Sequence, residues 1–161
     1  MTTTPGTRAN LDGLASVTNP GAASILRGVQ RMLSSLQFAS LAEVSLGNGR
    51  RADVLALDPT STIWIIEIKS SIADFRNDQK WHEYRAYCDA LLFAVAPDFP
   101  VDILPPETGL ILADAYGAEI IRAAPEHRLP AARRKALVAQ VATTATRRLQ
   151  GLLDPDFVNL I

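Results

Sequence analysis

The stretch RRADVLALDPTSTIWIIEIKSS, residues 50–71, decides how the chain folds. Two apolar runs flank Asp58-Pro59-Thr60-Ser61, a turn signal, and predict a β-hairpin with strands over residues 51–57 and 62–69. Into that apolar background the chain sets Asp53, Glu67 and Lys69. An ionised carboxylate on a buried strand costs on the order of several kcal/mol unless a partner or a metal compensates it. Charges at these positions therefore ask for a shared cause.

Strand parity supplies one. Side chains alternate faces along a strand, so Asp53 shares a face with Leu55 and Leu57, and Glu67 and Lys69 share one with Ile63 and Ile65. Opposed residues of an antiparallel hairpin point to the same side. Pairing Leu55 with Ile65 centres the turn near Thr60 and puts Asp53 opposite Glu67, with Lys69 one side-chain step beyond. A slip of one residue would send the two carboxylates to opposite faces. Two like charges so close repel, and a divalent cation between them resolves the conflict. The bland alternative is a lysine bridging two carboxylates at a strand end.

Outward from the hairpin, residues 21–38 carry Ile25, Val29, Met32, Leu33 and Leu36 at helical spacing and predict an amphipathic helix. A strand over 41–46 follows, ended by Gly47-Asn48-Gly49, with Glu43 on the face of Leu41 and Ser45. Beyond the hairpin a helix is expected over 77–88, capped by Asp74 or Asn77, with Trp81, Tyr84 and Cys88 as one core-facing stripe. The apolar run 91–96 reads as a strand covered on both faces, parallel to the Glu67 strand because a helix precedes it. A Pro-rich loop spans 97–108, a second hairpin joins 110–113 to 118–122, and a last helix covers 131–152.

A chain of 161 residues suits one domain with its own core. Residues 1–20 are poor in large apolar groups and read as a flexible leader to a single domain over 21–161. A formal net charge of −1 means that any nucleic-acid contact must come from a local patch. The lone cysteine, Cys88, excludes an internal disulfide and a Cys-based zinc site, and reads as a small buried apolar group. No apolar run has the length of a membrane span and the start lacks a basic-then-apolar signal, so the expected compartment is the cytoplasm, without a membrane partner.

Asp53 followed by Glu67-x-Lys69 on the next strand resembles the signature of the PD-(D/E)XK nuclease superfamily, whose fold is restriction-endonuclease-like. The flanking text is more specific. Glu43-Val-Ser-Leu, Gly49-Arg-Arg-Ala-Asp53, Glu67-Ile-Lys-Ser-Ser71, the run from Asp74 through Lys80-Trp81 to Tyr84, and Cys88-Asp89 are together similar to the MmcB-like DNA repair proteins of that superfamily. Ala52 stands where the superfamily's name has Pro, a variable position. The resemblance implies an α/β fold with an αβββαβ core, a central mixed sheet flanked by helices, to which this chain adds a hairpin and a C-terminal helix.

The same resemblance implies a metal-dependent DNA nuclease acting in repair. Asp53 and Glu67 would ligate Mg²⁺, with Mn²⁺ as an alternative, and the Ile68 carbonyl would join them. Lys69 would orient the attacking water or help deprotonate it. Glu43 would hold a second metal or a metal-bound water; its bland reading is an edge-strand charge. Arg50, Arg51, Arg76, Gln79 and Lys80 are the candidate DNA contacts, set against ordinary surface polarity. The basic bias of Arg122, Arg128, Arg133, Arg134, Lys135, Arg147 and Arg148 reads either as a DNA-backbone face or as the solvated side of a helix. Partners expected are DNA and a divalent metal, and a homodimer is compatible with the sequence. Rival readings are a DNA-binding module of the same fold without cleavage, an RNA substrate, and a protein-interaction domain docking through the apolar loop 99–106.

Overall fold

A computed structural model describes residues 20–156, so the expected leader lies outside the described residues except for Pro20. Helix α1 (Pro20–Ser35) leads into β1 (Ala39–Ser45), β2 (Arg51–Leu57) and β3 (Ile63–Lys69). Then come α2 (Ile72–Asn77), a 3-10 helix (Trp81–Tyr87), β4 (Ala90–Val95), a 3-10 turn (Val101–Ile103), β5 (Gly109–Ala113), β6 (Ala118–Arg122) and α3 (Ala131–Leu153). The strands form one six-stranded sheet in the order β1-β2-β3-β4-β5-β6. Pairing is antiparallel through β1, β2 and β3, parallel from β3 through β5, and antiparallel at β5–β6. This is the mixed sheet of a restriction-endonuclease-like core, with the added hairpin and last helix.

Parity divides the interior into two layers. Val54, Ala56, Ile66 and Ile68 face Ile25, Val29 and Leu33 of α1. Leu55, Ile63 and Ile65 face Tyr84, Cys88 and Leu137, under the 3-10 helix and α3. β4 is buried at every position, which is why its sequence shows no alternation. Asp53, Glu67 and Lys69 are odd-numbered like Leu55 and Ile65, so they belong to the second layer, where the strands run out.

Several expectations are corrected. α1 stops at Ser35 rather than near residue 38, because Gln37 takes a left-handed φ of 65° and the Phe38 N–H closes back on the Leu33 carbonyl. The single helix over 77–88 is two pieces. Ser71 caps α2 by accepting from the Asp74 N–H, Asp78 ends it, and residues 81–87 wind as a 3-10 helix. At three residues per turn Trp81, Tyr84 and Tyr87 align, and all three pack in the second layer with Cys88. In the loop 99–106, Phe99 and Leu104 are buried against Phe93, Val95 and Leu110, while Ile103 stays exposed.

α1 approaches the β5–β6 turn closely at Gly28, where a Cβ would run into the carbonyl oxygens of Asp114 and Gly117. Arg31 fixes the same contact by donating to the carbonyls of Ala115 and Tyr116. Gly28→Ala must move backbone, and is expected to lower stability by about 1–3 kcal/mol. A urea melt checks this; an unchanged midpoint would mean the turn yields freely.

Candidate active site

The β2–β3 ladder pairs Leu55 with Ile65, the register that places Asp53 across from Glu67. Backbone pairing ends at Val54–Ile66, and side chains take over. The Ile68 N–H donates to Asp53 Oδ2 at 2.8 Å, and the Asp53 N–H donates to Glu67 Oε1 at 3.2 Å. Each carboxylate is thus held by a backbone N–H of the opposite strand. They line a cleft of about 530 Å³ together with Glu43, Arg51, Ile68, Lys69, Asp74, Asp78 and Tyr84.

Burial dominates the electrostatics. Glu67 is 2% exposed, and burial first, then the Asp53 charge, push its carboxyl well above the usual range. Burial likewise raises Asp53, to about 6, against the opposing pull of the Ile68 N–H and of Lys69; Glu43 and Asp74 add to the rise. Lys69 is 4% exposed, with Nζ 2.5 Å from Asp78 Oδ2 and 3.9 Å from Glu67 Oε2. Burial pulls its ammonium down, but the Asp78 hydrogen bond and the surrounding carboxylates outweigh that and raise it. Lys69 therefore keeps its proton.

Glu43 enters the cleft from β1 by an unusual backbone. Its φ is 56°, left-handed for a residue with a full side chain. The β1–β2 ladder pairs Ala42 with Val54 and Val44 with Ala52 around it. Arg51 Nε lies 2.6 Å from Glu43 Oε2, yet that buried oxygen has no aligned hydrogen bond.

The remaining candidates divide. Arg51 lines the cleft, while Arg50, Arg76, Gln79 and Lys80 do not. Arg50 is paired with Glu83 at 2.8 Å, and the Gln79 amide donates to the Arg76 carbonyl at 2.8 Å. Arg76 and Lys80 stand exposed beside α2. Three of the C-terminal cations turn inward: Arg122 donates to the Thr108 and Pro105 carbonyls, Arg134 to Asp89, and Arg148 to Ala42 and Glu43, while Arg133 stays exposed and donates to the Ala86 carbonyl. Arg128, Lys135 and Arg147 remain exposed. Two cleft acids carry no site role in the sequence reading. Asp74 was signalled by Ser71-x-x-Asp74, a capping pattern, and accepts from the Ser70 N–H and hydroxyl. Asp78 had no signal, since its place depends on the helix break.

Among the described residues no three Asp, Glu, His or Cys side chains form a ready-made cation cage. A Mg²⁺ site does not require one: it uses one or two carboxylates and keeps several waters. Asp53 and Glu67 are hard oxygen donors, each raised by burial and, for Glu67, by its neighbour's charge, in a cleft roomy enough for water. That donor set fits a hard dication. No helix among the described residues is long and apolar enough to cross a membrane.

A family model described as DNA repair protein MmcB-like matches residues 9–156. Among solved structures, the SPO1766 protein of unknown function from Silicibacter pomeroyi is similar, with a TM-score of 0.83 and 47% identity, covering 87% of this chain and 96% of that one. No curated protein matches the chain.

Proposed function

Since the chain belongs to the MmcB-like family of DNA repair proteins, we propose that it hydrolyses phosphodiester bonds of DNA with a divalent metal bound in the Asp53–Glu67 cleft. The observation that carries this reading is the cross-strand hold on a buried carboxylate, Glu67, and a half-buried one, Asp53, beside the buried Lys69. Burial that raises both carboxyls is costly in an empty protein and becomes useful once a cation sits between them.

Asp53 and Glu67, with the Ile68 carbonyl, would hold Mg²⁺ or Mn²⁺. When bound, such an ion polarises a phosphoryl oxygen and lowers the pKa of a coordinated water. The chain's own groups do the rest. Lys69, kept as an ammonium, donates toward the phosphate or the attacking water and stabilises negative charge developing there, rather than acting as a base. Arg51, at the cleft wall, is placed to exchange Glu43 for a phosphate oxygen. Exposed Arg76 and Lys80 supply contacts to the DNA backbone outside the cleft.

Incubating the protein with linear and branched DNAs and an RNA control, in Mg²⁺, Mn²⁺ or EDTA, tests the reading. The wild type is expected to cut DNA with Mg²⁺ or Mn²⁺ and not with EDTA, and Asp53→Ala and Glu67→Ala are expected to cut nothing. A wild type that cuts nothing, or variants as active as wild type, would sink it. The Lys69–Asp78 ion pair favours a second reading, DNA binding without cleavage, because it holds the ammonium against an acid. Metal-independent, salt-sensitive DNA affinity with no cleavage in any metal is its signature.

A further inference from the structure

Glu43 adopts a conformation that is costly for a side-chain-bearing residue and persists only where its surroundings enforce it. Those surroundings are identifiable. Arg148, near the end of α3 and 105 residues away in sequence, donates Nη2 to the Glu43 carbonyl at 2.6 Å and Nη1 to the Ala42 carbonyl. Gln140, two turns earlier on α3, donates to the Ser45 carbonyl. A left-handed residue turns its peptide out of the ladder, and the Glu43 carbonyl accepts from Arg148 there. The side chain turned inward belongs to the cleft, where Glu43 adds to the charge that raises Asp53.

We propose that Arg148 is a positioning residue: its guanidinium clamps the carbonyls of Ala42 and Glu43, holds residue 43 left-handed, and so keeps the Glu43 carboxylate in the cleft. The catalytic consequence rests on the nuclease reading above; the conformational one does not. It also gives the C-terminal helix a task other than DNA contact, since Arg148 is spent on β1.

Two readouts separate these parts. The first compares the melting temperatures of Glu43→Gly and Glu43→Ala, with Arg148 intact and in Arg148→Met. Glycine is the easier residue when φ is positive, and alanine the easier one in an extended strand. With Arg148 intact, Glu43→Gly is expected to melt higher than Glu43→Ala by roughly 2–4 °C. With Arg148→Met the order is expected to reverse. An equal glycine advantage in both backgrounds would overturn the proposal, because residue 43 would be left-handed without the clamp. If Arg148→Met does not fold, Arg148→Lys, which replaces the two-nitrogen fork by a single ammonium nitrogen, is expected to shrink the glycine advantage, and an undiminished advantage counts against the clamp.

The second readout is steady-state cleavage with Mg²⁺. Arg148→Met is expected to lower kcat at least tenfold with KM unchanged, on the order of what a misplaced group costs, and Arg148→Lys to recover part of it. A raised KM with a weaker salt dependence and an unchanged kcat would instead make Arg148 a DNA contact. A wild type without cleavage would remove the catalytic half together with the nuclease reading, and the melting comparison would decide the clamp alone.

Discussion

Glu67→Gln is expected to make the metal-free protein more stable while sharply lowering metal-dependent cleavage. Glu67 is all but fully buried and its carboxyl is pushed well up by burial and then by Asp53. Asp53 is pushed to about 6 from its ordinary 3.8, so keeping it ionised in the fold costs about 3 kcal/mol. For an acid whose folded pKa is raised, the cost is absent below the unfolded pKa and accumulates as pH rises through the folded one. Metal-free wild type is therefore expected to lose stability between about pH 4 and pH 6 and beyond. Asp53→Asn should flatten the first part of that decline, and Glu67→Gln the later part. Mg²⁺ binds the ionised carboxylates, so it should restore wild-type stability near neutral pH and leave both variants unmoved. Cleavage should fall on the order of 10²-fold or more in each, as when a charge-stabilising group is removed from a site. Urea melts across pH, with and without Mg²⁺, beside a cleavage assay, check the set. Variants that are less stable than wild type yet still cut would refute it.

The largest loss of stability is expected at Asp89. Its carboxylate accepts from the Ile63 N–H at 2.8 Å, the Leu129 N–H at 2.9 Å, and both Arg134 terminal nitrogens at 2.6 and 2.7 Å. One side chain thus ties the start of β3, the segment before α3, and α3 itself. Asp89→Ala takes away the ion partner of Arg134, which keeps only the Ser61 carbonyl, and strips the Ile63 and Leu129 N–H groups of their acceptor; it is expected to cost about 3–5 kcal/mol. Replacing the arginine as well, Asp89→Ala with Arg134→Met, should recover part of that loss by removing the stranded charge. Acid should mimic the single variant. Burial alone would raise the carboxyl, but Arg134 and the two N–H donors hold it down at about 2. A depressed folded pKa gives stability that is full above the unfolded pKa, near 4, and lost as pH falls toward 2. That contribution is on the order of 2 kcal/mol. A midpoint for Asp89→Ala within the error of wild type would show the staple to be dispensable.

The hairpin was legible because period-two parity permits few registers, and only one of them buries Leu55 with Ile65. β4 was legible because a strand covered on both faces writes itself as an unbroken apolar run. Other features depend on contacts distant in sequence. The end of α1 hid because its left-handed stop is Gln37 rather than glycine. The break after Asn77 hid because Ser71 and Asp78, not a proline or glycine, delimit α2. Of the candidate site, Asp53, Glu67, Lys69 and Glu43 were readable from strand pattern and resemblance, and all four line one cleft. Asp78 was not, nor was the inward commitment of Arg134 and Arg148, whose partners lie 45 and more than 100 residues away. Asp89 stood in the text as Cys88-Asp89, with nothing local to mark it as an anchor.

The strictly sequential strand order has a consequence for how the molecule is made. Every strand pairs with its predecessor, so the sheet can grow outward from β1 as the chain lengthens, with tight turns at the antiparallel steps and longer crossovers over residues 70–89 and 96–108. Arg148 reaches back to β1 only after all six strands have been synthesised. Residues 39–69 therefore carry everything that pairs Asp53 with Glu67, while the hold on Glu43 waits on residue 148. A chain cut short before Arg148 is expected to keep the paired acids and to lose the contact that fixes the corner beside them.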